Sequence, residues 1–173
     1  MKRYGFTLLI LVFLGVSLAC GGGAGDDTPD AVTPDNALAC GISHSLALYS
    51  DGSVYAWGRN DDGQLGLGDE VDRDTPTLVG ALSDKDVISL TAGTDHSFAL
   101  CSDGSVYAWG YNGQGQLGLG DNVDRDIPTL VGLLPIMDVI SLAAQVLLHS
   151  LAPCSDGSVY AWGLNACWRA RAG

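Results

Sequence analysis

The sequence predicts an all-β chain that builds part of a β-propeller, and two observations lead to this prediction. The first is a nine-residue segment, Ser50–Gly58, that returns unchanged as Ser102–Gly110 and Ser155–Gly163. The second is that each copy holds about four short β-rich runs separated by glycines, with no helical periodicity. A β-helix would repeat over a much shorter interval. The chain has room for about two and a half four-stranded blades.

The second copy shows the predicted strands in order. It opens on an apolar run, Val87–Ala92, and continues with an alternating run that ends at Cys101. Asp103-Gly104 then predicts a hairpin turn, because glycine tolerates positive φ and the aspartate can bond its own backbone. Residues 105–109 form the return strand, and after a glycine-rich connection residues 125–131 carry the last strand.

Two residue types stand at the same position in every copy. We expect the tryptophans to pack between blades as structural residues: Trp57, Trp109 and Trp162. Each of three histidines precedes a serine and stands seven residues before an aspartate: His44, His96 and His149. A nucleophilic triad is one interpretation, but a catalytic set is normally built once in a fold, so we interpret these histidines as blade-stabilising. Histidines on neighbouring blades are also expected to lie too far apart for one metal ion. The sequence therefore predicts no catalytic residue, no metal site and no cofactor.

The first 19 residues show the pattern of an export signal. Lys2 and Arg3 precede an almost wholly apolar run, Phe6–Leu18, which is shorter than the ~20 residues of a membrane-spanning helix. We expect residues 1–19 to be a signal peptide and residues 20–36 to be a flexible acidic tether.

Cys20 is a candidate lipidation site. Ser17-Leu18-Ala19 before Cys20 resembles a bacterial lipoprotein box, and it also fits an ordinary signal-peptidase site. The lipoprotein interpretation predicts attachment to the outer membrane by a lipid anchor. The other interpretation predicts a periplasmic or secreted protein.

The formal net charge of −12 argues against two classes of partner. Nucleic-acid binding needs a basic footprint, and docking on anionic lipid needs basic residues as well. We interpret the acidity mainly as a solubilising surface.

The cysteines of the exported part leave the redox state open. If Cys20 is acylated, four cysteines remain, with three possible pairings: Cys40, Cys101, Cys154 and Cys167. Cys101 and Cys154 occupy the same strand position in successive copies, which disfavours direct pairing. Buried free thiols are therefore expected.

The repeats resemble the regulator-of-chromosome-condensation repeat family, which the alpha-tubulin suppressor proteins also typify. Four motifs carry the resemblance: Gly-x-x-His-Ser, Asp-Gly-x-Val-Tyr-x-Trp-Gly, Asn-x-x-Gly-Gln-Leu-Gly-x-Gly-Asp and Arg-x-x-Pro-x-x-Val. They extend over residues 37–165. The resemblance implies a seven-bladed propeller, a role as a protein-binding platform, and pairing of Arg73 and Arg125 with nearby carboxylates. After Asn165 the chain leaves the motif, so residues 166–173 are interpreted as an aberrant tail.

We expect an exported scaffold that binds an unknown protein or cell-surface ligand and catalyses no reaction. Contact residues are expected in the loops between strands: Arg59, Asn60, Asp61, Asp62, Tyr111, Asn112 and Gln114. The open blade edge would also allow an oligomer. The alternatives are a non-functional truncated gene remnant, a hydrolase and, by family analogy alone, a nucleotide-exchange-like regulator.

Overall fold

The computed structural model describes residues 37–132, 139–144 and 149–163, together with the backbone of residues 168–171. The predicted signal peptide, the tether and the candidate lipidation site Cys20 lie outside the described residues. No helix in the described part of the chain has the length and apolarity needed to cross a bilayer.

The described residues form three antiparallel sheets, each with four strands in chain order. The first sheet holds β1 Ala37–Cys40, β2 His44–Leu48, β3 Val54–Gly58 and β4 Arg73–Leu78. A 3-10 helix, Gly80–Leu82, leads to the second sheet: β5 Val87–Ala92, β6 His96–Cys101, β7 Val106–Gly110 and β8 Arg125–Leu130. The third sheet holds β9 Ala143–Ala144, β10 His149–Pro153, β11 Ser158–Gly163 and β12 Trp168–Arg171.

The Asp-Gly turns join the second and third strands of each sheet. Gly52 has φ +85°, a conformation that costs little only for glycine. The Asp51 carboxylate accepts a bond of 2.8 Å from the backbone N–H of Ser53. The same turn recurs at Asp103 and Asp156, so β2–β3, β6–β7 and β10–β11 are hairpins of one kind.

The glycine after each tryptophan brings the third strand close to the turn that precedes the second strand. Gly58 has φ +109°, and a Cβ there would lie 2.4 Å from the carbonyl oxygen of Ser43. Gly110 repeats this at φ +99°, with the Asp95 carbonyl oxygen 2.5 Å from the Cβ position. A side chain at either position would push the third strand away from the turn before the second strand. This explains why a glycine follows the tryptophan.

The third sheet has a fourth strand that the sequence did not predict. Residues 166–173 depart from the repeat motif, yet Trp168–Arg171 pairs with β11 in a regular antiparallel register. Backbone N–H and C=O groups make this ladder, so the strand needs no particular side chains to pair. The departure in sequence therefore does not end the sheet.

The core lies between the sheets in two clusters. The first contains Leu46, Val54, Ala56 and Leu65 of the first repeat, against Leu90, Ala99 and Trp109 of the second. The second cluster repeats this arrangement one sheet later, with members that include Phe98, Val106, Leu117, Ala152 and Trp162. The second sheet thus contributes one face to each cluster, whereas the first and third sheets each contribute one face to a single cluster.

Candidate functional site

The repeated histidine and serine meet across the boundary between sheets, not within one repeat. His44 Nε2 lies 2.9 Å from Ser97 Oγ, and both side chains are buried. Ser97 Oγ donates a bond of 2.8 Å to the backbone carbonyl of Gln64, and Trp109 Nε1 donates one of 2.9 Å to the same oxygen. His44 and Gln64 belong to the first repeat, whereas Ser97 and Trp109 belong to the second. We call this four-residue arrangement a clasp.

A second clasp joins the second and third sheets. The Gln116 carbonyl accepts bonds from Ser150 Oγ at 3.0 Å and from Trp162 Nε1 at 2.7 Å. His96 Nε2 lies 3.4 Å from Ser150 Oγ. Each clasp therefore takes its acceptor from one repeat and its hydroxyl and indole from the next.

The bonding of each clasp assigns the protonation of its histidine. The single Ser97 hydroxyl proton goes to the Gln64 carbonyl, so the His44 Nε2–H must be the donor to Ser97 Oγ. Burial lowers the pKa of His44 to about 4, which keeps the ring neutral at pH 7. Burial, together with the nearby His44, likewise lowers the pKa of His96 to about 4.

The clasp histidines are not arranged as a nucleophilic triad. Asp51, which follows His44 by seven residues, lies in the β2–β3 turn and bonds Ser53 at the other end of the strand. His44 Nδ1 has no hydrogen-bond partner among the described residues, so no carboxylate there orients the ring. The arrangement stabilises packing between sheets.

Two glycines in each of the first two repeats leave space for the clasp. A Cβ at Gly66 would lie 2.8 Å from Trp109 Nε1, and one at Gly118 would lie 2.9 Å from Trp162 Nε1. A Cβ at Gly41 or Gly93 would lie 2.3 or 2.2 Å from Cε1 of the following histidine. The Gly-x-x-His and Gln-Leu-Gly motifs are therefore parts of one contact.

Buried asparagines hold the loop that supplies the clasp carbonyl. The Asn60 side-chain oxygen accepts a bond of 2.9 Å from the Leu65 N–H, and Asn60 Nδ2 donates one of 2.7 Å to the Asp69 carbonyl. Asn112 makes the equivalent bonds to Leu117 and Asp121, at 2.9 and 3.0 Å. Sequence reasoning placed both asparagines among the contact residues, but both are fully buried and cannot reach a partner.

The other predicted contact residues lie on one edge of the sheets, which we call the loop edge (residues 41–43, 59–72, 93–95 and 111–124). Backbone bonds join its turns and loops, from Arg59 N–H to the Ser43 carbonyl and from Tyr111 N–H to the Asp95 carbonyl, both 2.8 Å. Gln114 and Asp61 are exposed there, whereas Tyr111 and Asp62 are half-buried.

Arg59 organises the carboxylates at the centre of the loop edge. It bonds Asp61 at 2.8 Å and Asp95 of the next sheet at 3.1 Å, and it lies 3.4 Å from Asp62. Burial raises the pKa of Asp62; Arg59 opposes this, while Asp95 and other nearby carboxylates add to it. The Arg59 guanidinium is thus already paired with carboxylates of the loop edge, and the surface around it is acidic.

The remaining charged motif residues form local ion pairs. Arg73 Nη2 bonds Asp69 at 2.6 Å, and Arg125 Nη2 bonds Asp121 at 2.7 Å, in the manner that the family resemblance implies. The hydrogen bond from Arg73 is the main cause that lowers the pKa of Asp69. Among the described residues, no group of three or more His, Cys, Asp and Glu side chains is placed to hold a metal ion.

Three described cysteines are free thiols. Cys101 and Cys154 are buried, as expected, but Cys40 is exposed because it lies on the first strand of the first sheet and points away from the core. Cys167 and Cys20 lie outside the described residues.

The predicted packing residues differ in burial from one sheet to the next. Trp109 and Trp162 are buried, at 0% and 5% exposed, whereas Trp57 is half-buried. His44 and His96 are buried, whereas His149 is exposed. These residues occupy equivalent strand positions, so the difference reflects which neighbours they have.

Comparisons with known proteins place these repeats in one family. The repeat described as "Regulator of chromosome condensation (RCC1) repeat" matches residues 51–100 and 103–144, which together exceed half of the chain. A second description of the same repeat matches residues 36–64 and 87–116.

Individual relatives agree with this match. The chain is 39% identical over 131 residues to the human probable E3 ubiquitin-protein ligase HERC3, covering 75% of this chain and 12% of that protein. It is 38% identical to the ultraviolet-B receptor UVR8 of Arabidopsis thaliana, covering 73% of this chain and 28% of that protein. The solved structure of yeast RCC1 (Prp20) bound to Kap60 superposes with a TM-score of 0.63 at 31% identity, covering 73% of this chain and 29% of that one. The predicted partial β-propeller is confirmed, and the chain spans less than a third of these relatives.

Removing the clasp hydroxyl should destabilise the protein. Ser97→Ala leaves the buried His44 Nε2–H without its acceptor, so we expect the free energy of unfolding to fall by about 1–3 kcal/mol. Urea unfolding followed by tryptophan fluorescence measures this. Ser45 occupies the equivalent position in the first sheet and is half-buried. Ser45→Ala should therefore change the free energy by no more than about 0.5 kcal/mol. Equal effects of the two substitutions would contradict the role assigned to the clasp.

The buried histidines should make folding sensitive to mild acid. Their pKa is about 4 in the folded protein and 6.5 ordinarily, so the unfolded state binds more protons between these values. The free energy of unfolding should consequently decrease as the pH falls from 6.5 to 4. His96→Gln should reduce that slope by up to about 1.4 kcal/mol per pH unit, measured by urea unfolding at several pH values. Ser45→Ala, which removes no titrating group, is the control and should leave the slope as in the wild type. An unchanged slope in His96→Gln would show that its burial does not couple to folding.

Proposed function

The chain belongs to the regulator of chromosome condensation (RCC1) repeat family, and on that basis we propose that it is an exported, non-catalytic scaffold that binds a protein through its loop edge. Propellers of this family often mediate protein binding. The yeast relative is itself seen with a bound protein, Kap60. The activities named for HERC3 and UVR8 belong to proteins of which this chain spans 12% and 28%.

The observation that carries the proposal is an acidic surface held on a rigid base. The clasps and the buried asparagines fix the backbone of the loop edge, so a partner would meet a preformed surface and little ordering entropy would oppose binding. The carboxylates exposed or half-buried there include Asp61, Asp62, Glu70 and Asp124.

The charge of the loop edge selects the kind of partner. Arg59 is already paired with carboxylates of the same edge, so the net field towards solvent is negative. A basic surface, or one rich in N–H donors, complements it and is steered to it at low ionic strength. We therefore propose a protein of the cell envelope with a basic contact patch.

The proposed location rests on the N-terminal sequence. The charged start, the short apolar run and Cys20 support export followed by lipidation. A lipidated Cys20 would tether the propeller sheets to the membrane through the acidic segment, residues 21–36.

Lipidation is tested by labelling with a palmitate analogue in a Gram-negative host. The full chain should incorporate the label and sediment with membranes, and Cys20→Ser should abolish both. Cys40→Ser, at an exposed thiol of the propeller, should leave both unchanged. Labelling that survives Cys20→Ser, or secretion of the unlabelled wild type, would overturn the lipid anchor while leaving the binding proposal untouched.

Binding through the loop edge is tested by site-specific photo-crosslinking in envelope preparations of that host. A photoreactive residue at the exposed Gln114 should give discrete protein adducts that weaken with salt, whereas one at the exposed Ser50, at the opposite edge, should not. Excess unlabelled wild type should compete for the adducts. Glu70→Lys, which reverses a charge on the loop edge, should compete at least about tenfold less well.

The matched charge reversal Asp84→Lys lies at the other edge, where the Asp84 side chain is 77% exposed. It should compete like the wild type. Adducts of the same pattern from Ser50, or equal competition by Glu70→Lys and Asp84→Lys, would exclude the loop edge as the contact surface.

A further inference from the structure

The hairpin turns contain three chemically labile pairs at equivalent positions: Asp51-Gly52, Asp103-Gly104 and Asp156-Gly157. An aspartate before glycine isomerises readily, because the missing side chain leaves the glycine nitrogen unhindered. That nitrogen attacks the side-chain carboxyl carbon, a C–N bond forms, and one water molecule leaves to give a succinimide ring. One water molecule then opens the ring. When it breaks the bond between the nitrogen and the main-chain carbonyl carbon, the product is isoaspartate.

The attacking nitrogen is held in the same way in all three turns. The Gly52 N–H donates a hydrogen bond of 3.0 Å to the Tyr49 carbonyl. Gly104 and Gly157 make bonds of the same length to the carbonyls three residues before them. The nitrogen must lose this proton when the ring closes, and the peptide group must rotate towards the carboxyl carbon. The hydrogen bond opposes both changes.

The serine two residues after each aspartate holds the other reacting group. Asp51 Oδ1 accepts bonds from the Ser53 N–H at 2.8 Å and from Ser53 Oγ at 2.5 Å. The other two turns repeat both bonds with Ser105 and Ser158, and their N–H bonds are 2.9 and 2.8 Å long. Each carboxylate is thereby fixed to the serine that follows the glycine, which restricts its rotation towards the glycine nitrogen.

The same bonds favour the ionised carboxylate. Hydrogen bonds from Ser53 and Ser105 to the charged form lower the pKa of Asp51 and Asp103. A neutral carboxylic acid releases water when the nitrogen attacks, whereas a carboxylate would have to expel an oxide ion. Ring closure therefore proceeds through the acid form, and a lower pKa leaves less of that form at neutral pH.

We propose that Ser53, Ser105 and Ser158 protect the three Asp-Gly turns against isomerisation to isoaspartate. The hydroxyl is the part of this contact that depends on residue type, since any residue except proline would supply the N–H. Isomerisation would add a methylene group to the main chain of a hairpin and disturb the register of its two strands. The protection lies within each turn and is independent of the loop edge and of the packing between sheets.

A fourth Asp-Gly pair, Asp62-Gly63, lies in the loop edge and has a glutamine two residues after the aspartate. Its glycine is buried, and the Gly63 N–H donates a bond of 3.0 Å to the Asn60 carbonyl. A Cβ at Gly63 would lie 2.7 Å from Asp126 Cα in the next repeat. Packing restricts this pair, whereas the aspartates of the hairpin turns are exposed and depend on the serine.

The test compares the folded full chain with a capped synthetic peptide of the sequence Ser50–Gly58. This segment is identical in all three copies, so one peptide is the unfolded reference for every turn. Both samples are kept at neutral pH, and isoaspartate is measured at each site by proteolysis and electron-transfer fragmentation mass spectrometry. Each turn of the folded wild type should isomerise at least about tenfold more slowly than the peptide.

Ser53→Ala removes the hydroxyl from one turn. In the folded variant, isomerisation at Asp51 should become about tenfold faster or more, while Asp103 and Asp156 keep the wild-type rate. The same substitution in the peptide should change the rate by less than about twofold, because an isolated hairpin is not stably formed. Ser53→Thr keeps a hydroxyl and should stay slow.

Ser50→Ala is the matched control, because it removes an exposed hydroxyl from the residue before Asp51 and should isomerise like the wild type. Ser105→Ala repeats the test in the second sheet, where Asp103 should be the one turn that accelerates.

Three results would each overturn the proposal. The first is an equal rate in the folded wild type and the peptide. The second is an unchanged rate at Asp51 in Ser53→Ala, since protection would then come from the glycine N–H bond alone. The third is faster isomerisation at all three turns of that variant, which would attribute the effect to general unfolding and not to the hydroxyl.

Discussion

The fold depends on one buried carbonyl group per sheet boundary. The Gln64 oxygen accepts bonds from the hydroxyl of Ser97 and the indole of Trp109, and His44 donates to the same hydroxyl. A buried polar group without a partner costs about 1–3 kcal/mol, and each clasp holds several such groups drawn from two repeats. One sheet alone would leave its half of the clasp unsatisfied. Sheets are therefore stable together, as in other repeat proteins whose stability comes from nearest-neighbour contacts.

This dependence explains why the residues that repeat most regularly along the chain have structural roles. The Gly-x-x-His-Ser, Trp-Gly and Gln-Leu-Gly segments are three parts of one contact, with Gly66 and Gly93 providing space for an indole and an imidazole ring. The proposed contact surface instead includes positions that differ between equivalent loops. Arg59 stands where Tyr111 stands in the next repeat, and Asp62 where Gln114 stands. The first loop is the more charged of the two, so the loop edge is not uniform.

The burial of each sheet depends on whether another sheet packs against one of its faces or against both. The second sheet contacts sheets on both faces, and its β6 is buried along its whole length. The first and third sheets each bury one face, and identical residues at equivalent positions differ in exposure for that reason alone.

The sequence by itself determined the strands, the turns and the repeat, because these depend on contacts between residues close in the chain. The Asp51 carboxylate bonds Ser53 two residues later, and such a turn can be predicted from the letters Asp-Gly. The family also followed from the letters, since the motifs are long and specific.

Only the tertiary structure decided which copies of the repeated residues contact each other. His44 bonds Ser97 and not the adjacent Ser45, and identical letters in successive repeats cannot show this. The sequence also could not show that Asn60 is buried, because the residue lies in a loop. Nor could it show that β12 forms, because that strand pairs with β11 through backbone hydrogen bonds. These contacts join residues that are distant in the chain, and they form only when one sheet packs against the next.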